Sequence, residues 1–319
     1  LLKKAALLVF FLLFISGAAG AREKEIRIAL WKLPLNLPAM AAADGRVYER
    51  AFEGEYKIRY IDLPSGPKQV QAMAAGELDI AEGLGAAAAL VGMANGADIT
   101  IIGANSRSPE AFAVVIKDPE IKKVSDLKGK KVGGLRGSVV HQLFVELLSA
   151  EGLSEKDVEF YPMTPRTAAS SLTAGRVDAA LLAGTEILRA EKGGCRILSD
   201  GRGRIDGLSL IVAGRKFADE NRSAVGKYLA EREKIRIKAV RTLSDNMAML
   251  KKETGLSEKE IIKMLSKYDY STKITQKDVD ELKKTAEYLK KENIIKHIPN
   301  INDLFWKDPS LSHVSKIGK

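Results

Sequence analysis

The chain is poorest in residues that do covalent chemistry: one cysteine, three histidines, and aromatic side chains at only 6% of 319 residues. A lone Cys195 excludes an internal disulfide framework. Gly193-Gly194-Cys195-Arg196 has neither metal nor redox spacing, so it reads as a free thiol near a turn. His141, His297 and His313 build no Ser/His/Asp arrangement and no metal-ligand spacing, which argues against an enzyme; no metal and no cofactor are expected. Scarce rings also leave few partners to sandwich a heterocycle. The longest apolar run, residues 5–15, is eleven long, well short of the roughly 20 that a membrane-spanning helix needs.

That short run has a different use. Lys3 and Lys4 precede it and Ala19-Gly20-Ala21 follows it, giving the basic start, apolar middle and small-residue cleavage site of a secretory signal. Residues 1–21 are expected to be removed, leaving a periplasmic or otherwise extracytoplasmic protein. No cysteine stands beside the cleavage site to carry a lipid. Against 41 acidic residues the chain sets 51 Lys and Arg, a net charge of +10, or +8 without Lys3 and Lys4. Nucleic acid is not the expected partner, because the basic residues interleave with acids. Glu231-Arg232-Glu233-Lys234 and Lys283-Lys284-Thr285-Ala286-Glu287 read as solvated helix faces. In an exported protein the excess favours encounters with anionic solutes.

What the chain does have is a repeat. Residues 71–81 and 170–180 share one grammar: a helix closed by Gly76 or Gly175, a polar turn, and a buried strand opened by Asp79 or Asp178, at a constant offset of 99. Strands are expected at 26–30, 56–61, 79–81 and 99–103, then at 131–134, 158–161, 178–183 and 196–198, with one more at 208–213. Helices alternate with them, and Gly83-Leu84-Gly85 reads as a tight turn before a small-residue helix at 86–95. Long amphipathic helices at about 217–253, 257–267 and 275–292 wrap rather than repeat. The fold class is therefore α/β, with two lobes that each carry a mostly parallel sheet flanked by helices.

Helix starts after Leu37, Gly66, Gly85 and Ser138 should sit at the carboxyl ends of strands, with free backbone donors facing the gap between lobes. Such termini suit anions. Gly137 permits close backbone approach, Ser138 has a hydroxyl proton to give, and the amides of Val139 and Val140 complete a small nest. The same Ser138 is equally an ordinary N-cap for the His141 amide.

Several motifs occur in fixed order over nearly all of the mature chain: Ser65-Gly66-Pro67, the Ala-Gly-x-x-Asp-x-Ala turn at 75–81, Asp126-Leu127-Lys128-Gly129-Lys130-Lys131-Val132, Gly137-Ser138-x-x-His141 and Asn293-Ile294-Ile295. Together they resemble the periplasmic solute-binding proteins of ABC importers, in the class that handles sulfonates, taurine and nitrate and its relatives that bind the pyrimidine precursor of thiamine. The resemblance implies a type II periplasmic-binding-protein fold. Lobe one would comprise 24–111 plus 208–319 and lobe two 112–207, with crossings near 110–117 and 205–210. It further implies a monomeric receptor that traps a small anionic solute by lobe closure and hands it to a membrane permease with its ATPase. The alternatives are a pyrimidine ligand or an enzyme on the same fold.

The resemblance puts Ser65, Gly66, Gly83, Gly85, Gly137, Ser138 and Val139 on the ligand side. Trp31, Asn36, Arg107, His141 and Glu186 join them as candidates. Plainer uses stand beside these: a helix cap for Ser65, a turn for Gly83 and Gly85, an exposed loop for Arg107, packing on its own helix for His141, and core burial for Trp31. Residues 179–186 lack the aromatic and proline residues often found there in relatives, so a roomier or more apolar pocket is expected.

Overall fold

The computed structural model describes residues 24–30, 36–63 and 65–307; the signal-peptide reading of 1–21 and the reading of Trp31 lie outside them. Four strands come first, β1 (Glu25–Leu30), β2 (Lys57–Ile61), β3 (Ile80–Gly85) and β4 (Ile99–Ser106). Next are β5 (Phe112–Ile116), β6 (Lys131–Gly134), β7 (Glu159–Pro162), β8 (Ala179–Ala183) and β9 (Arg196–Asp200), and last β10 (Ser209–Gly214). They form two sheets of matching order, β2-β1-β3-β10-β4 and β7-β6-β8-β5-β9. In each sheet three strands pair in parallel and the fourth position runs antiparallel to both neighbours. That position is taken by β10 or β5, the strands that arrive from the other sheet. They enter at the edge where the other strands finish, so they run backwards.

The repeated turns explain the repeated sheets. Gly76 and Gly175 adopt φ of 69° and 70°, a left-handed conformation that glycine takes without steric cost. The amide of Glu77 donates to the Ala72 carbonyl and that of Arg176 to the Ser171 carbonyl, both at 2.8 Å, closing each helix in the same way. Asp79 and Asp178 then lock their strands to the neighbour. Their carboxylates accept the backbone N–H of Arg27 at 2.7 Å and of Lys131 at 2.8 Å.

Helices α1 (Leu37–Asp44), α2 (Val47–Ala51), α3 (Gly66–Ala74) and α4 (Ala86–Ala94) belong to the first sheet; α5 (Val139–Ala150), α6 (Pro165–Thr173) and α7 (Thr185–Lys192) belong to the second. The expected helix over 217–253 is instead three: α8 (Arg215–Glu220), α9 (Arg222–Arg241) and α10 (Leu243–Thr254). The backbone leaves helical geometry at Asn221 and Thr242. Asn221 donates its amide to the Phe217 carbonyl and accepts the Tyr56 hydroxyl, and the Thr242 hydroxyl donates to the Lys238 carbonyl. Finally come α11 (Glu258–Leu265) and α12 (Gln276–Lys291).

Gly83-Leu84-Gly85 is also corrected, since it continues β3 rather than turning. Leu210 and Ile211 of β10 face Leu84 and Glu82, so Gly83 is the extra residue of a bulge, and its φ of 105° is why glycine stands there. Strand alternation divides the first core between the sheet's two faces. Ala29, Ala81 and Val212 join α3, α4 and α12 on one side; Ile28, Ile80 and Ile211 join α2 and α9 on the other.

Candidate functional site

Five helices, α3 to α7, begin just after a strand ends, and α1 is the next described element after β1. The first amides of such helices have no partner within the helix, which makes these edges suited to polar and anionic groups. The chain leaves the first sheet at this edge after Ser106, enters the second at Phe112, and returns at Ser209. The two crossings touch: the Ser108 amide donates to the Asp206 carbonyl at 3.0 Å.

Around this edge several of the candidate residues serve as caps or braces. Ser65 caps α3 by accepting the Lys68 amide, and Gly66 is buried at its first position. Gly85 precedes α4 with open space where a Cβ would be. Asn36 is buried at the start of α1. Ser138 accepts the His141 amide at 3.3 Å and donates to the Leu135 carbonyl at 2.7 Å, the cap arrangement that its sequence context allowed. Val139 is the first residue of α5, half-buried.

His141 is completely buried. Its Nδ1 accepts the Gly137 amide at 3.3 Å and meets the Tyr288 hydroxyl of α12, while Nε2 meets Glu155. Since Nδ1 is the acceptor, the ring proton belongs on Nε2 and is donated to the carboxylate. Burial lowers the His141 pKa against the pull of Glu155. Glu155 also holds Arg136 at 2.5 Å. Arg107 is fully engaged, its Nε and Nη2 each 2.6 Å from the Asp278 carboxylate, Nη2 also donating to the Lys273 carbonyl and Nη1 to the Ser271 carbonyl. Glu186, in the first turn of α7, pairs with Arg189 at 2.5 Å and lies 3.8 Å from Arg166.

The C-terminal helices clasp the second sheet's helices on two sides. On one, α12 brings Tyr288 to His141 and Lys284 to Glu146 at 2.8 Å. On the other, Lys192 of α7 pairs with Glu260 of α11 at 2.7 Å, and Leu188 packs with Leu37 and Met40.

Sequence reasoning missed the most polar feature of the first half. Glu82 of β3 and Arg232 of α9 are both completely buried and bonded to each other. The solvated-face reading of 231–234 is thus overturned at Arg232, which turns inward beneath the sheet. The Tyr228 hydroxyl donates to Glu82 Oε2 at 2.7 Å and that of Tyr48 at 3.3 Å. Arg232 Nη2 donates to Asn105 Oδ1 at 3.0 Å, and Asn105 Nδ2 to the Ser209 hydroxyl at 3.1 Å. Burial disfavours the Arg232 charge most, but Glu82 together with Tyr48 and Tyr228 outweighs it and the pKa is raised. Burial and then Glu82 push both phenols well above their ordinary value, which keeps them donors. A signal did exist, because Glu82 is the sole charged residue between Asp79 and Asp98.

The family described as NMT1/THI5 like matches residues 58–231, more than half of the chain. Two relatives are both provisionally named aliphatic sulfonates-binding proteins. That of Escherichia coli (strain K12) is 26% identical over 298 residues, covering 92% of this chain and 92% of its own. That of Bacillus subtilis (strain 168) is 30% identical over 232 residues, covering 69% and 68%. Among solved structures, the periplasmic aliphatic sulphonate binding protein SsuA from Escherichia coli has the same fold, with a TM-score of 0.81 over 89% of this chain and 92% of its own at 24% identity.

Proposed function

The chain belongs to the NMT1/THI5-like family, and on that premise we propose that it is the extracytoplasmic substrate-binding protein of an ABC importer, capturing a small organic sulfonate and delivering it to a membrane permease with its ATPase. The observation that carries this reading is the Escherichia coli relative, which matches over 92% of both chains and so over both halves of the architecture. In this reading the sheets are the cores of two lobes, 24–111 plus 208–319 and 112–207, and the solute sits between their facing edges.

Asn36, Ser65, Gly66, Gly83, Gly85, the Gly137–Val139 loop and Glu186 border that gap, while Arg107 and His141 brace it. Residues 1–21 direct export and are removed. No covalent chemistry is assigned to the site. Cys195 is buried in the second core and His141 has all its ring nitrogens engaged. Among the described residues no helix is long and apolar enough to cross a membrane.

Closure requires that the ligand bind the closed form better than the open one, with the two crossings absorbing the motion. A thermal-shift screen of alkanesulfonates, nitrate, carboxylates and pyrimidines tests the assignment. A sulfonate at 100 times its dissociation constant should stabilise the protein by about 2.7 kcal/mol and shrink its radius of gyration in small-angle scattering. Stabilisation by pyrimidines alone would overturn the sulfonate assignment.

A further inference from the structure

We infer that Arg232 is a ligand-recognition residue, which shares with Asn36 a polar floor on the first-sheet side of the gap and donates through Nη1 to an oxyanion oxygen of the solute. This rests on the receptor reading above. Its basis is a pair of buried atoms, Arg232 Nη1 and Asn36 Oδ1, that have no hydrogen-bond partner among the described residues.

Neither atom is the loose end of a mobile side chain. Arg232 is fixed through Nε to the Glu82 carboxylate and through Nη2 to Asn105. Asn36 is 4% exposed, and its Nδ2 donates to the Glu82 backbone carbonyl at 3.4 Å. Both side chains are therefore tethered to one residue. Buried polar atoms are nearly always paired, and one left open costs about 1–3 kcal/mol.

The network is lopsided in a way that names the missing partner. Both Glu82 carboxylate oxygens already accept, with two phenol donors on Oε2 and the guanidinium on Oε1. Arg232 Nη1 is the buried nitrogen left without a partner among the described residues, so what it lacks is an acceptor, best supplied by an anion. Asn36 is the N-cap of α1 yet makes no side-chain cap bond, and Pro38 at the second helical position has no N–H to offer. Its open Oδ1 calls for a donor.

The place is right as well as the chemistry. Asn105 and Ser209 lie at the end of the first sheet where the chain crosses to and from the second, and Asn36 opens a helix following β1. The solute class is thus an organic anion whose sulfonate or carboxylate oxygen meets Nη1, favoured further when an amino or hydroxyl group on the same molecule can donate to Asn36.

Calorimetry with ethanesulfonate, 2-aminoethanesulfonate and the neutral ethyl methyl sulfone tests this. The double variant E82L/R232M removes both buried charges together and leaves neither unpaired. It should bind ethanesulfonate about 10- to 100-fold more weakly and lose the preference for sulfonate over sulfone. Glu82→Gln, which keeps the arginine, should bind ethanesulfonate at least as tightly as the wild type. Asn36→Ala removes no charge and no cap bond; it should narrow the preference for 2-aminoethanesulfonate over ethanesulfonate by about 3- to 10-fold. Wild-type affinity in the double variant, or equal losses in it and in Glu82→Gln, would overturn the inference while leaving the receptor reading intact. A wild-type protein that binds no sulfonate overturns both.

Discussion

The two halves of the molecule are built from one turn but hold different interiors. Asp79 and Asp178 stand 99 positions apart and do the same job, and the same offset brings Leu181 to the place of Glu82. Leu181 is buried among Val132, Leu143 and Phe144, so close to Gly134 that a Cβ there would sit 2.7 Å away. Glu82 at the matching place gathers an arginine and two tyrosines. The shared turn sets the scaffold, while one position gives the first half a buried polar cluster and leaves the second half apolar.

Making the first half resemble the second is the harshest way to break this comparison. Glu82→Leu strands the Arg232 charge in the core and should cost about 3–5 kcal/mol, whereas E82L/R232M should recover most of that loss. Denaturant unfolding of both variants reads the difference. A single variant as stable as the double would show that the charge is solvated after all.

The joint between the halves has its own signature in pH. Glu281 of α12 accepts the Asp206 amide at the returning crossing, and burial pushes its carboxyl up to about 7 from an ordinary 4.5. The folded state keeps a proton that the unfolded chain has already released, so this contribution is full below pH 4.5 and is lost as pH rises through about 7. Glu281→Gln removes the titration, and relative to it the wild type should lose up to about 3 kcal/mol between pH 4.5 and pH 8. Melting temperatures of the two proteins across that range check it; parallel curves would contradict it.

The smallest expected difference sharpens the comparison at the aspartates. Asp79 is forked by the Arg27 guanidinium at 2.7 and 2.9 Å as well as holding a backbone amide, while Asp178 is bonded to the Lys131 amide. Asp79→Ala should therefore be more destabilising than Asp178→Ala by about 1 kcal/mol, measured by the same denaturant titration.

Local grammar made much of the fold legible. The Gly76 and Gly175 turns and the starts of α1, α3, α4 and α5 follow from short-range rules about glycine, caps and alternation. Gly83 was misread because a glycine pair signals a turn and a bulge alike, and only the partner strand decides. Arg232 was misread because its neighbours Glu231, Glu233 and Lys234 are those of a solvated face, and charge pattern cannot tell which residue of a helical turn faces inward. A lone Glu82 in an apolar strand demanded a buried cation, but its partner lies 150 residues away and only tertiary packing joins them. Likewise the Ser138 cap was legible locally, whereas the Tyr288 hydroxyl on His141 was not.

Native mass spectrometry of the purified protein with an equimolar mixture of alkanesulfonates tests the central claim most directly. Capture between two halves without chemistry predicts one intact sulfonate per chain, released at unchanged mass. Absence of any adduct, or recovery of a desulfonated product, would contradict it.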